Sequence, residues 1–244
     1  AFIDVTVTVS YGGVQTACWR LADALARAGH EVAMFGGNGN IRPANLHPNI
    51  KVFTVPFRPR EKVIDIGSRF QRIVERASHA RHARHAFAAG GYDWAILTKP
   101  FDFYWPWILP KDCKTKFCFM SGGTDFYAGD RMLAKKIDAW VAASEFNAWQ
   151  IHARYKHWPK VIYNGVETDK FAPGVRDESL RARLGIAPDT VLFAFAGRLV
   201  GWKGLVVALK ALTEPAMRDT NAKLLIIGDG PQKPELKQRA QTLG

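Results

Sequence analysis

Five short stretches of this sequence carry residues that could do chemistry, and each directly follows or ends an apolar, β-rich run. They are Tyr11-Gly12-Gly13-Val14, Ser121-Gly122-Gly123-Thr124-Asp125, the Asn164-Gly165 end of Val161–Val166, Gly197-Arg198 through Lys203-Gly204, and Gly228-Asp229-Gly230-Pro231. Glycines let backbone N–H groups approach a ligand, and a helix start favours an anion. Gly12 and Gly13 therefore suit a phosphate, and equally suit a tight turn that only needs glycine. Asp125 can accept a proton, bind sugar hydroxyls or cap a following helix. Arg198 and Lys203 bracket a glycine turn at a helix start, where both charges can converge on a diphosphate. Asn164-Gly165 is a turn signal and reads as a hinge. Gly228 opens another sharp strand-to-helix turn on the same edge and is expected, with Gly12, Gly13, Arg198 and Lys203, among the ligand-binding residues there.

Several other chemistries lack their residues. The first turn has no G-x-G-x-x-G, and neither a G-x-x-x-x-G-K-[ST] phosphate loop nor a G-x-S-x-G nucleophile elbow occurs. Cys113 and Cys118 have no partners at zinc spacing, and His79, His82 and His85 recur every third residue on a basic helix that reads as a solvated face. No metal site is expected. Phe101, Phe103, Tyr104, Trp105 and Trp107 follow a strand and suggest a hydrophobic lip, but they lack the interleaved cations of a nucleic-acid stacker.

The elements that must position these stretches alternate. Strands are expected at Phe2–Thr8, Glu31–Phe35, Lys51–Pro56, Trp94–Thr98, Thr115–Met120, Ala139–Ala143 and Lys160–Tyr163. Between them lie helical patterns at Val14–Ala28 and Val63–Ala89. The alternation restarts beyond Gly174, with a helix near Glu178–Leu184, a strand Val191–Ala196, a helix Lys203–Leu212, a strand Lys223–Ile227 and a helix from Gln232. Short strands separated by helices imply crossovers and a mostly parallel α/β sheet, beyond whose carboxyl ends ligands bind. The expected division is an N-terminal domain over 1–172 and a second unit over 173–244 with only two strands, so the latter reads as part of a larger domain.

The 244 residues carry 34 Lys+Arg against 22 Asp+Glu, a formal +12, of which +8 falls on residues 1–172. A 48% hydrophobic content supports a packed core, and no apolar run approaches the ~20 residues of a membrane span. The start of the chain reads as a strand rather than a signal peptide, and three cysteines suit a reducing, cytoplasmic setting. From Arg69 to His85, Arg69, Arg72, Arg76, Arg81 and Arg84 face one acid, Glu75, while Phe70, Ile73, Val74, Ala77 and Ala80 form an apolar stripe. That pattern fits a docked helix whose cationic outer face is solvated or meets anionic lipid.

The segments YGGVQTACWRLADALARAGHEV, VIYNGVETDKFAP, and FAGRLVGWKGLVVALKAL followed by KLLIIGDGP resemble the GT-B glycosyltransferases of family 4, the group 1 retaining transferases. The resemblance runs through essentially the whole chain. It implies two Rossmann-like domains, the acceptor on the first and a nucleotide-sugar mainly on the second, with no cofactor and no metal. Carried over, Gly12 and Gly13 match the loop facing the donor phosphates, and Arg198 and Lys203 match the pair that stabilises the departing nucleotide. Asn164 through Phe171 match the hinge. Two departures stand out. The family's histidine before the loop glycine falls at Gly122 or Ser121, leaving Asp125 as the nearest functional group. The family's later E-x7-E pair would lie past Gly244, so this chain alone is expected to transfer sugar poorly or not at all. The implied activity is retaining transfer to a glycan or lipid-linked acceptor in polysaccharide biosynthesis, at the inner face of the membrane. An inactive binding module or partner subunit, and a GT-B sugar-nucleotide epimerase, are the alternatives.

Overall fold

The computed structural model describes residues 1–123, 125–218 and 220–243. The chain divides into two compact units, Ala1–Glu167 and Thr168–Gly244, against the expected 172/173.

Unit 1 contains β1 (Phe2–Ile3), α1 (Gly13–Arg27), β2 (Val32–Gly37), β3 (Ile50–Val55), α2 (Ser68–Ala89), β4 (Trp94–Leu97), α3 (Trp105–Ile108), β5 (Lys116–Met120), α4 (Asp130–Leu133), β6 (Ala139–Ala142), α5 (Glu145–Tyr155) and β7 (Lys160–Val161). The strands form one parallel sheet in the order β3-β2-β1-β4-β5-β6-β7. Because successive side chains point to opposite faces, the sheet has two cores. Ile3, Phe35, Leu97 and Phe119 pack under Ala80, Ala83 and Phe87 of α2 and Ile151 of α5. Phe2, Met34 and Val32 pack under Cys18, Trp19, Ala22 and Ala26 of α1. This is the doubly wound α/β arrangement expected from the alternation.

The first strand is much shorter than its alternating residues suggest. After Ile3 the chain turns, because the Asp4 carboxylate captures local donors: the Thr6 N–H at 2.9 Å and the Thr6 hydroxyl at 2.7 Å, both on Oδ1. Thr98 at the end of β4 donates to Asp4 Oδ2 at 2.8 Å, and Arg76 reaches Oδ1 at 3.2 Å. Arg76 also pairs with Asp102. All three charged groups are buried, at 1%, 4% and 3% exposure for Asp4, Arg76 and Asp102.

This overturns the expected anatomy of α2. Arg76 points into the core, not outward, and the buried face is Glu75, Arg76, His79, Ala80, Ala83 and Phe87. Phe70, Ile73 and Ala77 of the expected stripe are exposed, and the exposed arginines are Arg69, Arg81 and Arg84. The expected aromatic lip is mostly core too: Phe101, Phe103 and Trp105 are buried, and only Trp107 is substantially exposed. His79 is buried while His82 and His85 are exposed, so the three do not share a face.

Unit 2 contains α6 (Glu178–Arg183), β8 (Val191–Ala196), α7 (Leu205–Leu212), α8 (Pro215–Arg218), β9 (Ala222–Ile227) and α9 (Lys233–Leu243). β8 and β9 pair in parallel, and Leu205, Leu209 and Leu236 cover one face of the pair.

Two stability predictions follow from the charges inside unit 1. Arg76→Met strands two buried carboxylates and should cost about 3–5 kcal/mol in urea unfolding; a change below ~1 kcal/mol would show the network to be incidental. Burial, with the Arg76 charge adding, pushes the His79 imidazole down to about 4, so its stabilising contribution is complete above its unfolded value near 6.5 and is lost as pH falls toward 4. Burial pushes Asp102 the other way, up to about 7, despite Arg76, so its own contribution falls as pH rises through the same window. The variant difference isolates the histidine: wild type should lose up to about 3 kcal/mol relative to His79→Gln between pH 7.5 and pH 4. A stability gap that does not change with pH would refute this assignment.

Candidate functional site

Two groups of chemistry-bearing residues form, one in each unit, both beyond the carboxyl ends of parallel strands.

In unit 1 the glycine loop is held from below. Gln15 in the first turn of α1 donates from Nε2 to Thr6 Oγ1 at 2.7 Å, and Thr6 in turn donates to Asp4. A Cβ on Gly12 would sit 2.4 Å from Gln15 Oε1, while one on Gly13 would meet open space. The start of α1 also meets the second predicted loop. The Gly122 N–H donates to the Thr98 carbonyl at 3.3 Å, and a Cβ on Gly122 would lie 2.5 Å from Val14 Cγ2. Val14 thus fills the space that a side chain at 122 would need, which matches glycine standing where the family resemblance implies histidine. Ser121 is buried and bonds within its own turn. Thr124 lies outside the described residues.

Asp125 is tied to two cations from different elements. Arg72 Nη1 of α2 lies 2.8 Å from Oδ1, and Lys99 Nζ, just past β4, lies 2.9 Å from Oδ2. Partial burial acts to raise this carboxyl, but Lys99 and Arg72 outweigh it and hold it below the usual carboxylate range. Arg72 is therefore a partner of Asp125 rather than part of an outward basic face. Asp130, at the far end of the same loop, is fully buried and accepts from the Tyr155 hydroxyl at 2.9 Å, the Arg154 Nε at 3.0 Å and the Tyr127 N–H at 3.1 Å.

Sequence reasoning missed Lys99 and Asp130. The signal for Lys99 was its place immediately after an apolar strand. Asp130 had none, since Arg154 lies 24 residues away in the chain.

In unit 2 the loops after β8 and β9 press together backbone to backbone. Gly197 donates to the Ile227 carbonyl and Leu199 to the Asp229 carbonyl, both at 2.9 Å, and Gln232 donates to the Leu199 carbonyl at 3.1 Å. A Cβ on Gly228 would lie 1.9 Å from the Gly197 oxygen, and one on Gly230 would lie 2.5 Å from the Leu199 oxygen. Both glycines have φ near +155°, which L side chains rarely adopt. Gly228 thus fixes the loop that carries Arg198 and Lys203. Gly230, not picked out individually from sequence, does the same work.

Arg198 and Lys203 are exposed, and neither has an ion-pair partner among the described residues. The Arg198 guanidinium lies 5.9 Å from the Trp202 ring centroid. Lys203 ends a 3-10 turn, and Gly204 (φ +71°) starts α7. Asn164 and Gly165 lie in the exposed irregular segment after β7. Among the described residues no His, Cys, Asp and Glu cluster could hold a metal ion.

Residues 11–170 match the family described as Glycosyltransferase Family 4, and residues 176–244 match Glycosyl transferases group 1. The chain belongs to Glycosyltransferase Family 4, with the second unit of the group 1 type. It is 34% identical over 128 residues to the D-inositol 3-phosphate glycosyltransferase of Actinosynnema mirum, covering 48% of this chain and 30% of that protein. The same-named protein of Thermobifida fusca is 34% identical over 99 residues, 37% of this chain and 23% of that one. Among solved structures, sucrose-phosphate synthase from Thermosynechococcus elongatus superposes with a TM-score of 0.73 at 16% identity, over 99% of this chain and 65% of that one. Anabaena HepE in complex with UDP and glucose superposes at 0.69 and 19%, over 100% and 65%. These likenesses establish the GT-B fold. The chain spans less than a third of the length of the relatives it matches by sequence, and about 65% of the solved chains.

Gly228→Ala should destabilise unit 2 by at least about 2 kcal/mol, through both the close oxygen and the positive φ. Gly165→Ala, whose Cβ meets open space, should change stability by less than about 0.5 kcal/mol. Limited proteolysis with mass spectrometry reads unit 2 separately, and equal susceptibility of the two variants would refute the interlock.

Proposed function

We propose that this chain serves a glycosyltransferase that moves a sugar from a nucleotide-diphosphate sugar to a glycan or lipid-linked acceptor, with retention of anomeric configuration. The observation that carries the reading is the Arg198–Lys203 loop: two cations without ion-pair partners among the described residues, on a connection locked in place by Gly228 and Gly230. Breaking the sugar–phosphate bond builds negative charge on the departing diphosphate. Preorganised cations and helix-start amides stabilise that charge more in the transition state than in the ground state. On this reading Arg198 and Lys203 hold the diphosphate, Gly12 and Gly13 let backbone approach the donor, and no metal is needed. Asn164 and Gly165 serve as the hinge.

Support comes from HepE, a fold neighbour found with UDP and glucose, and from relatives that are themselves named glycosyltransferases. Retention rests on the group 1 likeness. Any contact with an anionic membrane falls to Arg69, Arg81 and Arg84, since Arg76 is buried and Arg72 is paired.

Calorimetric titration of the 244-residue chain with UDP tests the donor site. Binding should fall about 10- to 100-fold in Arg198→Ala and in Lys203→Ala, the loss expected for one charged hydrogen bond each. No nucleotide binding by wild type, or variants that both bind as tightly as wild type, would sink the reading. Product formed from a panel of nucleotide-sugars, examined by NMR, reports the anomeric outcome.

A further inference from the structure

Trp202 stands on the same loop as the two cations to which the donor reading gives the diphosphate, and nothing in that reading uses it. It is 76% exposed, more than any other tryptophan of the chain. Other exposed tryptophans are held by their surroundings. Trp107 donates its indole N–H to the Leu133 carbonyl at 3.0 Å, with the Lys136 ammonium 4.3 Å from its ring centroid, and Trp149 and Trp158 pack edge to face at 4.8 Å. The Trp202 indole N–H has no hydrogen bond among the described residues. Its one ring partner there is the Arg198 guanidinium, 5.9 Å from the centroid.

The backbone between these two side chains is fixed. Leu199 and Val200 are buried and anchor the loop. The Lys203 N–H donates to the Val200 carbonyl at 2.9 Å and the Gly204 N–H to the Gly201 carbonyl at 3.1 Å, which closes the 3-10 turn that carries Trp202. The arginine itself has no acid to hold it. Asp229, on the facing loop, is engaged by the Gly230 N–H at 2.9 Å and by Lys233 at 3.4 Å. A long, unpaired arginine samples many rotamers, and a ligand that needs one of them must restrict the rest. An aromatic face restricts a guanidinium without neutralising it. A carboxylate in the same place would compete with an incoming anion.

We propose that Trp202 is a positioning residue of the donor site: its ring holds the Arg198 guanidinium in place and leaves the charge free for the diphosphate. The proposal rests on the reading of Arg198 as a diphosphate ligand. Trp202 acts through Arg198 and makes no contact with the phosphates itself.

Calorimetric titration of the 244-residue chain with UDP, in a double-mutant cycle, tests it. Trp202→Leu keeps an apolar side chain and removes the ring. It should weaken UDP binding about three- to fivefold, the range of an exposed cation–π contact. Trp202→Phe keeps a ring and should weaken it less than about twofold. In an Arg198→Ala background Trp202→Leu should add no further loss. Nitrogen-15 relaxation at Arg198 Nε gives a readout independent of affinity: the side chain should be more restricted in wild type and Trp202→Phe than in Trp202→Leu. Four results overturn the proposal. They are UDP binding by Trp202→Leu equal to wild type, an equal loss in the Arg198→Ala background, leucine and phenylalanine variants that weaken binding alike, and an Arg198 side chain as mobile in wild type as in Trp202→Leu. Because Trp202 is exposed, its variants should melt with wild type. Where Trp202→Leu melts early, Trp202→Gln takes its place, and early melting of both shows a structural role and overturns the proposal. Failure of wild type to bind either UDP or inorganic pyrophosphate sinks the diphosphate reading and this proposal with it. Intact UDP binding that is indifferent to Trp202 sinks this proposal alone.

Discussion

Arg76 is one guanidinium between two buried carboxylates, and the carboxyl edge of unit 1 is arranged around that imbalance. Asp4 receives Arg76 together with two bonds from Thr6 and one from Thr98; among the described residues Asp102 is hydrogen-bonded through its side chain only by Arg76, with Lys99 acting on it through charge. Burial alone would raise both acids, but only Asp4 has enough donors to be held below the usual range, while Asp102 rises. A buried ion costs several kcal/mol unless it is paired and hydrogen-bonded, so the ends of β1 and β4 and the middle of α2 cannot slip past one another. What hangs from this junction is the site. Through Thr6 and Gln15 it sets the start of α1, and through Thr98 it sets the position of Lys99 and the Gly122 N–H.

Unit 2 meets the same need by a different route. Among the described residues no buried charge network organises its strand ends; interlocked backbone does. Gly228 and Gly230 let two loops come within hydrogen-bond distance along their length, and any Cβ there would collide with main chain, which cannot move aside as a side-chain tip can. Arg198 and Lys203, which have no ion-pair partner among the described residues, can therefore point to solvent and still be well placed, because the backbone beneath them is fixed.

What was legible in the sequence divides along the line between local and long-range causes. Strand β8 and helix α1 follow from apolar periodicity within their own residues, and the parallel α/β plan follows from their alternation. The Val5–Val9 stretch has the period of a strand and is a turn, because Asp4 and its distant partners override local preference. The stripe of α2 was misplaced for the same reason: a buried arginine counts as polar in any periodicity argument, and only Asp4 and Asp102 make it core. Helix α5 went unread because Phe146 and Trp149, both exposed, obscure the buried Asn147, Ala148, Ile151 and Tyr155. At the site, the loop bearing Arg198 and Lys203 was visible because glycine and basic residues sit together in the chain. Lys99 with Arg72 was not, since they meet through Asp125 from 26 and 53 residues away.

Asp125 shows how far a residue type alone can carry a chemical argument. A carboxylate beside a glycine turn offers a base, a sugar ligand or a cap, and sequence cannot choose among them. A general base works best with a proton affinity near the operating pH and an open path to the proton it takes. Two cations at 2.8 and 2.9 Å work against both, since they hold the carboxyl ionised and occupy its two oxygens. They favour a counter-ion. On that view each unit supplies fixed positive charge rather than a proton acceptor. In unit 2 Arg198 and Lys203 stand open to solvent. In unit 1 Arg72 and Lys99 are covered by the Asp125 carboxylate. Such chemistry depends on keeping cations close together without letting them repel the fold apart, and one internal carboxylate is the smallest device that does so.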